Sequence, residues 1–474
     1  MSANHHHNLE WEFRPFVRPG KFLSSEFMAT AEELLFLVSF YGKSKITSAP
    51  TSKEEFKLFC SHVHDGWKQA QSRIAELLTD AIVRQEEAKA NKKRQHQQRS
   101  KSGQLEAKRK AQEIDLEILF LRRMLDVILW TILNGEHSTL RRLFVVDGNN
   151  SLSAKNIEQG MQAATEINAN PLSIAICSDM LSMVHIGDLV VLDVEAGELK
   201  LVELKSGEKN YVISKAAEFA VESECLAFEN FFTADFNEKD AKHYERAKRQ
   251  VKRNKAVVAT IQAESGIDQN TGAHIRINSM QMPPDFWSKA IVKCYEQLNE
   301  EKKWAITTID ECVHVGVYSD PQFAFGGFNA WMMALKCKSP IFNLMDSFKN
   351  PWVRPLGAMM LPFDLLKKIL HGDILVIICL DIQAMIEAVN ERQPEFLRLI
   401  SMRETAKQRQ WKYETLELNG QGVQASLGDL QMNIGSGFRD RVVFDQHSPM
   451  QLLYVTLQNM TELQSQKMGE KTSE

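Results

Sequence analysis

Two Val/Leu-rich stretches, residues 188–194 and 199–205, flank a polar gap that holds Gly197. No other feature of the chain limits its fold as tightly. Short apolar runs on either side of such a gap read as the two strands of a β-hairpin. A two-residue loop (Ala196, Gly197) and a four-residue loop (195–198) give one register, with Asp188 opposite Lys205 and Val190 opposite Glu203. Opposed residues share a face and successive side chains alternate, so Asp188, Glu203 and Lys205 are expected to project together. Asp193, Glu198 and Lys200 fall on the other parity. A three-residue loop would shift the register by one and break the alignment.

Eight D/E-x-K triplets occur in the chain, starting at Glu55, Glu87, Glu106, Glu198, Glu203, Asp240, Glu300 and Glu301, so the triplet alone selects none of them. Hairpin geometry selects Glu203-Leu204-Lys205. An ordinary hairpin, with Asp, Glu and Lys paired across a solvated face, is the plain alternative. Charges set into apolar strands are costly without a partner, however, and a metal ion is one such partner. A hard cation such as Mg²⁺ takes carboxylate oxygens and keeps several waters, so two acids can hold it until substrate phosphate completes its sphere. A neighbouring lysine can position a water and stabilise charge that develops on phosphate.

With Gly187-Asp188, the hairpin and Glu203-Leu204-Lys205, residues 154–255 resemble the PD-(D/E)xK, restriction-endonuclease-like nuclease superfamily. The resemblance implies an α/β fold with a mixed β-sheet core flanked by helices, and metal-dependent hydrolysis of nucleic acid, with DNA as the expected substrate. It implies Asp188 and Glu203 as ligands of Mg²⁺ or Mn²⁺, and Lys205 beside the attacking water. Members often carry a glutamate on the helix before the hairpin and a glutamine on the helix after it. Glu166, with Glu158 two turns earlier, is the candidate for the first. Gln250 is the candidate for the second. The departure from the pattern is that no Pro precedes Asp188.

Around this core the chain of 474 residues is too long for one ordinary domain. From Ser52 to about Leu133 the pattern is helical with no Pro, and residues 85–112 are nearly devoid of large apolar side chains. Ser100, Ser102 and Gly103 mark a tip, and Lys89, Lys92, Lys93, Arg94, Arg99, Lys101, Lys108, Arg109 and Lys110 make the stretch basic. This reads as a helical hairpin or arm. It is either a solvated charged element or one that contacts DNA, a partner protein or a second copy of the chain. After the hairpin, Lys242, Arg246, Arg249 and Arg253 recur at helical spacing and form a basic stripe beside Gln250. Such a stripe suits phosphate contact and equally suits a plain solvated face.

Net charge is −4, so nucleic-acid binding would rest on local patches such as these. Seven scattered cysteines with no CxxC pair argue against a zinc site or disulfide framework and for a reducing, cytoplasmic setting. The first residues lack the apolar core of a signal peptide, and the longest apolar run, 374–380, is far too short to span a bilayer, so no membrane partner is expected. That run reads as a buried strand followed by a helix at 382–390. Residues 304–318 read as one or two strands that can add to the hairpin's sheet. Asp310, His314 and Asp381 lie at strand ends with no spacing that joins them into a site. Residues 420–444 are Gly-rich and polar and match no phosphate-binding fingerprint.

The expected organisation is a helical region over 1–140, a nuclease core over 141–275, an α+β region over 276–461 and a disordered tail over 462–474. A restriction-type or phage-defence effector fits such accessory parts. The competing classes are a nucleic-acid-binding module without activity and a coiled-coil assembly protein.

Overall fold

A computed structural model describes residues 16–136, 139–140, 143, 152–184, 187–204, 208–268, 272, 274–276, 283–410 and 414–471. These are mixed α/β, with small sheets whose strand pairs are all antiparallel. The chain divides into two compact units, Leu37–Asn278 and the pairing of Met1–Phe36 with Ser279–Glu474, and the division falls inside helix α1 (Ser25–Ser39). The helical segment that follows Ser52 therefore belongs with the hairpin in one unit.

In the first unit, helix α2 (Lys53–Gln97) begins at a capping box: Ser52 Oγ accepts from Glu55 N at 3.1 Å, and the Glu55 carboxylate accepts from Ser52 N. Trp67, Ala70, Gln71, Ile74, Leu78 and Ala81 recur at three- and four-residue steps on its buried face, and its last buried residue is Ala88. Helix α3 (Lys101–Ile132) returns antiparallel to it. Gln104 reaches Gln95 at 3.5 Å, Asp115 accepts from Gln85 at 2.6 Å, and Glu117 accepts from Arg84 at 2.6 Å, so one helix runs backward as the other runs forward. The reversal turns on Arg99, held at φ 55°.

Helix α4 (Ala154–Asn168) leads to strands β1 (Ser173–Cys177), β2 (Leu189–Asp193) and β3 (Glu198–Val202), ordered β1-β2-β3. The expected mixed sheet is thus an antiparallel meander among the described residues. The outer edge of β1 is covered by amide side chains. Gln71 bonds Ala175 O (2.9 Å) and Cys177 N (3.0 Å), while Asn168 bonds Ala175 N (2.7 Å). Covering an edge in this way prevents further strand pairing. Helices α5 (Glu208–Ser223), α6 (Leu226–Thr233) and α7 (Glu238–Gln262) follow. Ala216, Ala217 and Ala220 of α5 pack with Tyr244 and Ala247 of α7, and Phe228, Phe232 and Phe236 close over them. The short strands β4 (Ser265–Ile267) and β5 (His274–Arg276) end the unit.

In the second unit, helix α8 (Ser288–Tyr295) precedes β6 (Trp304–Ile309) and β7 (Val313–Tyr318). These strands do not join the hairpin's sheet. They pair in a separate one, ordered β6-β7-β9-β8, with β8 (Ile341–Asn343) and the fully buried β9 (Leu375–Leu380). Asp310 and Glu311, both at positive φ, make the tight turn between β6 and β7. Helix α9 (Pro321–Ala334) packs Ala324, Phe328 and Met332 on this sheet. Helices α10 (Phe363–His371) and α11 (Ile382–Arg392) flank β9 in sequence.

Strand β10 (Leu397–Leu399), helix α12 (Met402–Gln410) and strands β11 (Glu417–Leu418), β12 (Gln421–Leu427) and β13 (Leu430–Asn433) build a further small sheet ahead of helix α13 (Gly437–Val443). The last helix is α14 (Pro449–Lys471), and residues 462–471, read from the sequence as part of a disordered tail, continue it.

Candidate functional site

The hairpin's ladder pairs Leu189 with Val202, Val190 with Leu201 and Asp193 with Glu198. The loop is four residues, 194–197, and the register is two residues away from the one expected, which brings Asp188 beside Glu203. The cause is local. Asp193 Oδ1 accepts from the N–H groups of Glu195 (3.0 Å) and Ala196 (3.1 Å), Val194 N donates to Leu172 O (3.1 Å), and Gly197 takes φ +66°. A slip of two preserves side-chain parity, whereas a slip of one would have reversed it.

Past Leu189 the ladder is interrupted. Gly187 adopts φ +74°, Asp188 N donates to Val202 O at 2.8 Å, and Asp188 Oδ2 accepts from Leu204 N at 2.5 Å. The Asp188 carboxylate is thereby fixed on the backbone one residue beyond Glu203. Its approach is braced from α3: the buried Arg123–Asp126 pair (2.8 Å) presents Asp126 Oδ1 to Ser182 N at 2.9 Å, and Arg122 donates to Leu181 O. Burial pushes the nearby Cys177 thiol up to about 12, with the charges of Asp179 and Asp188 adding to the shift.

Glu203 is met from α7. Gln250 Nε2 donates to Glu203 Oε1 (3.1 Å) and Oε2 (3.2 Å), and Asn254 Nδ2 donates to Oε1 (3.1 Å). Residues 250 and 254 are one turn apart and share a helix face. Asn254 is absent from the sequence-based set, although its four-residue spacing from Gln250 is the signal that could have found it. Asp188, Glu203, Gln250 and Asn254 are half-buried, and Leu204, the residue after Glu203, gives its N–H to Asp188.

Lys205 lies outside the described residues. Glu166 is exposed on α4 and is not brought to these residues among the described contacts. Helix α4 presents Ile157, Gly160 and Ala164 as its buried face, and a Cβ on Gly160 would stand 2.5 Å from Cys177 Sγ. Asn168 meets Ala175, nearer the start of β1. Glu166 is therefore towards the end of the helix away from Asp188, and about 200° round from Ala164. Glu158 is nearer the Cys177 end but is also exposed. On α7, Lys242, Arg246 and Arg249 are exposed and Arg253 is half-buried. Lys242 is paired with Glu238 at 2.5 Å, and Arg249 Nε donates to Glu245 O at 3.3 Å.

Among the described residues no group of three or more His, Cys, Asp or Glu stands where it could hold a metal ion. The donor set at the hairpin is two carboxylates, the oxygen chemistry that a hard cation takes when waters and substrate supply its other ligands. No known protein family matches the chain, and no curated protein or solved structure matches it. No helix among the described residues is long and apolar enough to cross a membrane.

Proposed function

We propose that the protein is a metal-dependent nuclease that hydrolyses phosphodiester bonds of nucleic acid, DNA in particular, with a restriction-endonuclease-like core over 141–275. The observation that carries this reading is the convergence on Glu203 of two amide side chains from a helix 47 and 51 residues away, beside the carboxylate of Asp188. A solvated cross-strand pair needs no such second layer, whereas a ligand carboxylate is commonly oriented by hydrogen bonds from behind. Asp188 and Glu203 would hold Mg²⁺ or Mn²⁺, and Gln250 and Asn254 orient Glu203. The cation, when bound, polarises the phosphoryl group and lowers the pKa of a coordinated water. Lys205 is assigned to the attacking water, and Lys242, Arg246, Arg249 and Arg253 to the phosphate backbone. Glu166 enters only as an outlying acid.

The hairpin of α2 and α3 is assigned to assembly or to DNA capture, since past Ala88 the α2 side chains are not buried. A defence or restriction role fits a nuclease with such an accessory arm. The second reading is a nucleic-acid-binding module without activity, which the exposed Lys242, Arg246 and Arg249 would serve equally well.

Purified full-length protein assayed on supercoiled plasmid, linear duplex, single-stranded DNA and RNA, with Mg²⁺ and with EDTA, tests the proposal. Cleavage that needs Mg²⁺ supports it. Cleavage that survives EDTA removes it, and retention of DNA without cleavage selects the binding module.

A further inference from the structure

In the sheet β6-β7-β9-β8, pairing across strands gathers a polar cluster on an otherwise apolar face. His314 on β7 lies directly opposite Thr308 on β6 and Cys379 on β9. Thr308 Oγ1 and His314 Nδ1 are 3.0 Å apart. Asp381, two residues beyond Cys379, places its carboxylate 3.8 Å from His314 Nε2, an atom with no hydrogen-bond partner among the described residues. Cys337 arrives from the end of α9, where its N–H bonds Met332 O at 3.0 Å, and its sulfur stands 3.6 Å from that of Cys379. The two thiols differ in access: Cys379 is fully buried and Cys337 is half-buried.

We propose that Cys337 and Cys379 form a reversible dithiol–disulfide site, with a peroxide as oxidant, Cys337 as the attacking sulfur and Cys379 as the resolving one. A disulfide needs its sulfurs at about 2.05 Å, and the two sulfurs already stand in contact at 3.6 Å. The contact between the two thiols, with a backbone hydrogen bond at Ser339, holds the Cys337 thiol below its ordinary range against burial and the Asp381 carboxylate, and the same contact together with burial pushes Cys379 up, so the more accessible sulfur is the better thiolate.

In the first step the Cys337 thiolate attacks one oxygen of hydrogen peroxide. The O–O bond breaks, hydroxide leaves and becomes water on taking a proton, and Cys337 becomes a sulfenic acid. In the second step the Cys379 sulfur displaces the hydroxyl group from Cys337. The S–S bond forms, the S–O bond breaks, and hydroxide leaves with the Cys379 proton as a second water. Two thiols are oxidised by two electrons and one peroxide is reduced to two waters. A small-molecule dithiol returns the pair to thiols by exchange. The bond ties the end of α9 to β9.

The test treats the full chain with hydrogen peroxide, blocks remaining thiols, and maps disulfides by mass spectrometry without reduction. The expected product is a linked Cys337–Cys379 peptide, about 2 Da lighter than the sum of its parts because two hydrogens are lost, and abolished by dithiothreitol. A Cys379→Ser variant is expected to stop at a Cys337 sulfenic acid that dimedone traps. Should that variant fail to fold, the wild-type map decides alone. Cys337 carried on to sulfinic acid beside an unmodified Cys379, or both thiols still free when exposed Cys225 is fully oxidised, overturns the proposal.

Discussion

Both units place a carboxylate just beyond the end of an antiparallel strand, fully buried in the case of β9 and largely exposed in the case of β3, and the two carboxylates are satisfied in opposite ways. Asp381, after β9, caps the helix that follows it: Oδ1 accepts from Gln383 N (3.1 Å) and Ala384 N (3.2 Å). Burial would raise its pKa, but the neighbouring His314 imidazole, the Ala384 N–H and the Cys337 thiol outweigh it and leave Asp381 below its usual range. Its two backbone donors are its own next residues, the ordinary business of a helix N-terminus. Glu203, after β3, takes its donors from Gln250 and Asn254 on a distant helix, and its neighbour Leu204 bonds Asp188. Local donors mark a carboxylate that builds a fold. Long-range side-chain donors converging on a pair of acids mark one whose orientation matters for something else.

Substitutions can break this contrast, and the largest effect is expected at the hairpin. Lys205→Ala or Glu203→Ala is expected to lower single-turnover cleavage of plasmid by about 10²–10³ or more, the usual worth of a group that stabilises developing charge. Asp381→Asn should leave the rate near wild type. Next comes the brace behind Asp188. Asp126→Ala removes the carboxylate that the Arg123 guanidinium, 1% exposed, meets at 2.8 Å, and a loss of about 3–5 kcal/mol is expected in denaturant unfolding. An unchanged midpoint would show that the brace does not hold the approach to Asp188.

A third prediction concerns pH. Burial is the main reason the His64 imidazole sits at about 4, below the ordinary 6.5, with its Nδ1 hydrogen-bonded to Pro171 O at 3.1 Å. The unfolded chain takes up this proton below 6.5 while the folded chain does not, so stability falls as pH drops from 6.5 towards 4 and levels off below. The full loss is about 3 kcal/mol, and His64→Gln should flatten that segment of the pH–stability curve. The smallest effect is expected at the second layer. Gln250→Ala and Asn254→Ala should each slow cleavage about tenfold, roughly 1.4 kcal/mol, with little change in DNA retention on a filter. Equal losses in retention would make them DNA contacts instead.

The hairpin's place is legible in the sequence, because Val/Leu alternation and a glycine gap are local signals. The proximity of Gln250 to Glu203 rests on a resemblance, and Asn254 then follows from helical spacing. The register is not legible, since Asp193 closes the loop with its own carboxylate and Leu172, in the turn before β1, accepts from Val194 N. The placement of Glu166 depends on which end of α4 comes close to β1, and Gly160 over Cys177 decides that. In the other unit, His314, Cys337 and Cys379 come together only through strand pairing and helix packing across 42 or more residues, which no spacing rule reveals.

The most direct test of the central claim is manganese binding followed by the electron paramagnetic resonance signal of the free aqueous ion. Wild type and Asp381→Asn should both deplete that signal, while Asp188→Asn and Glu203→Gln should leave it at the level of buffer, with all four proteins folded by circular dichroism. Depletion that persists in Glu203→Gln, or that is lost in Asp381→Asn alone, would contradict a metal site at the hairpin.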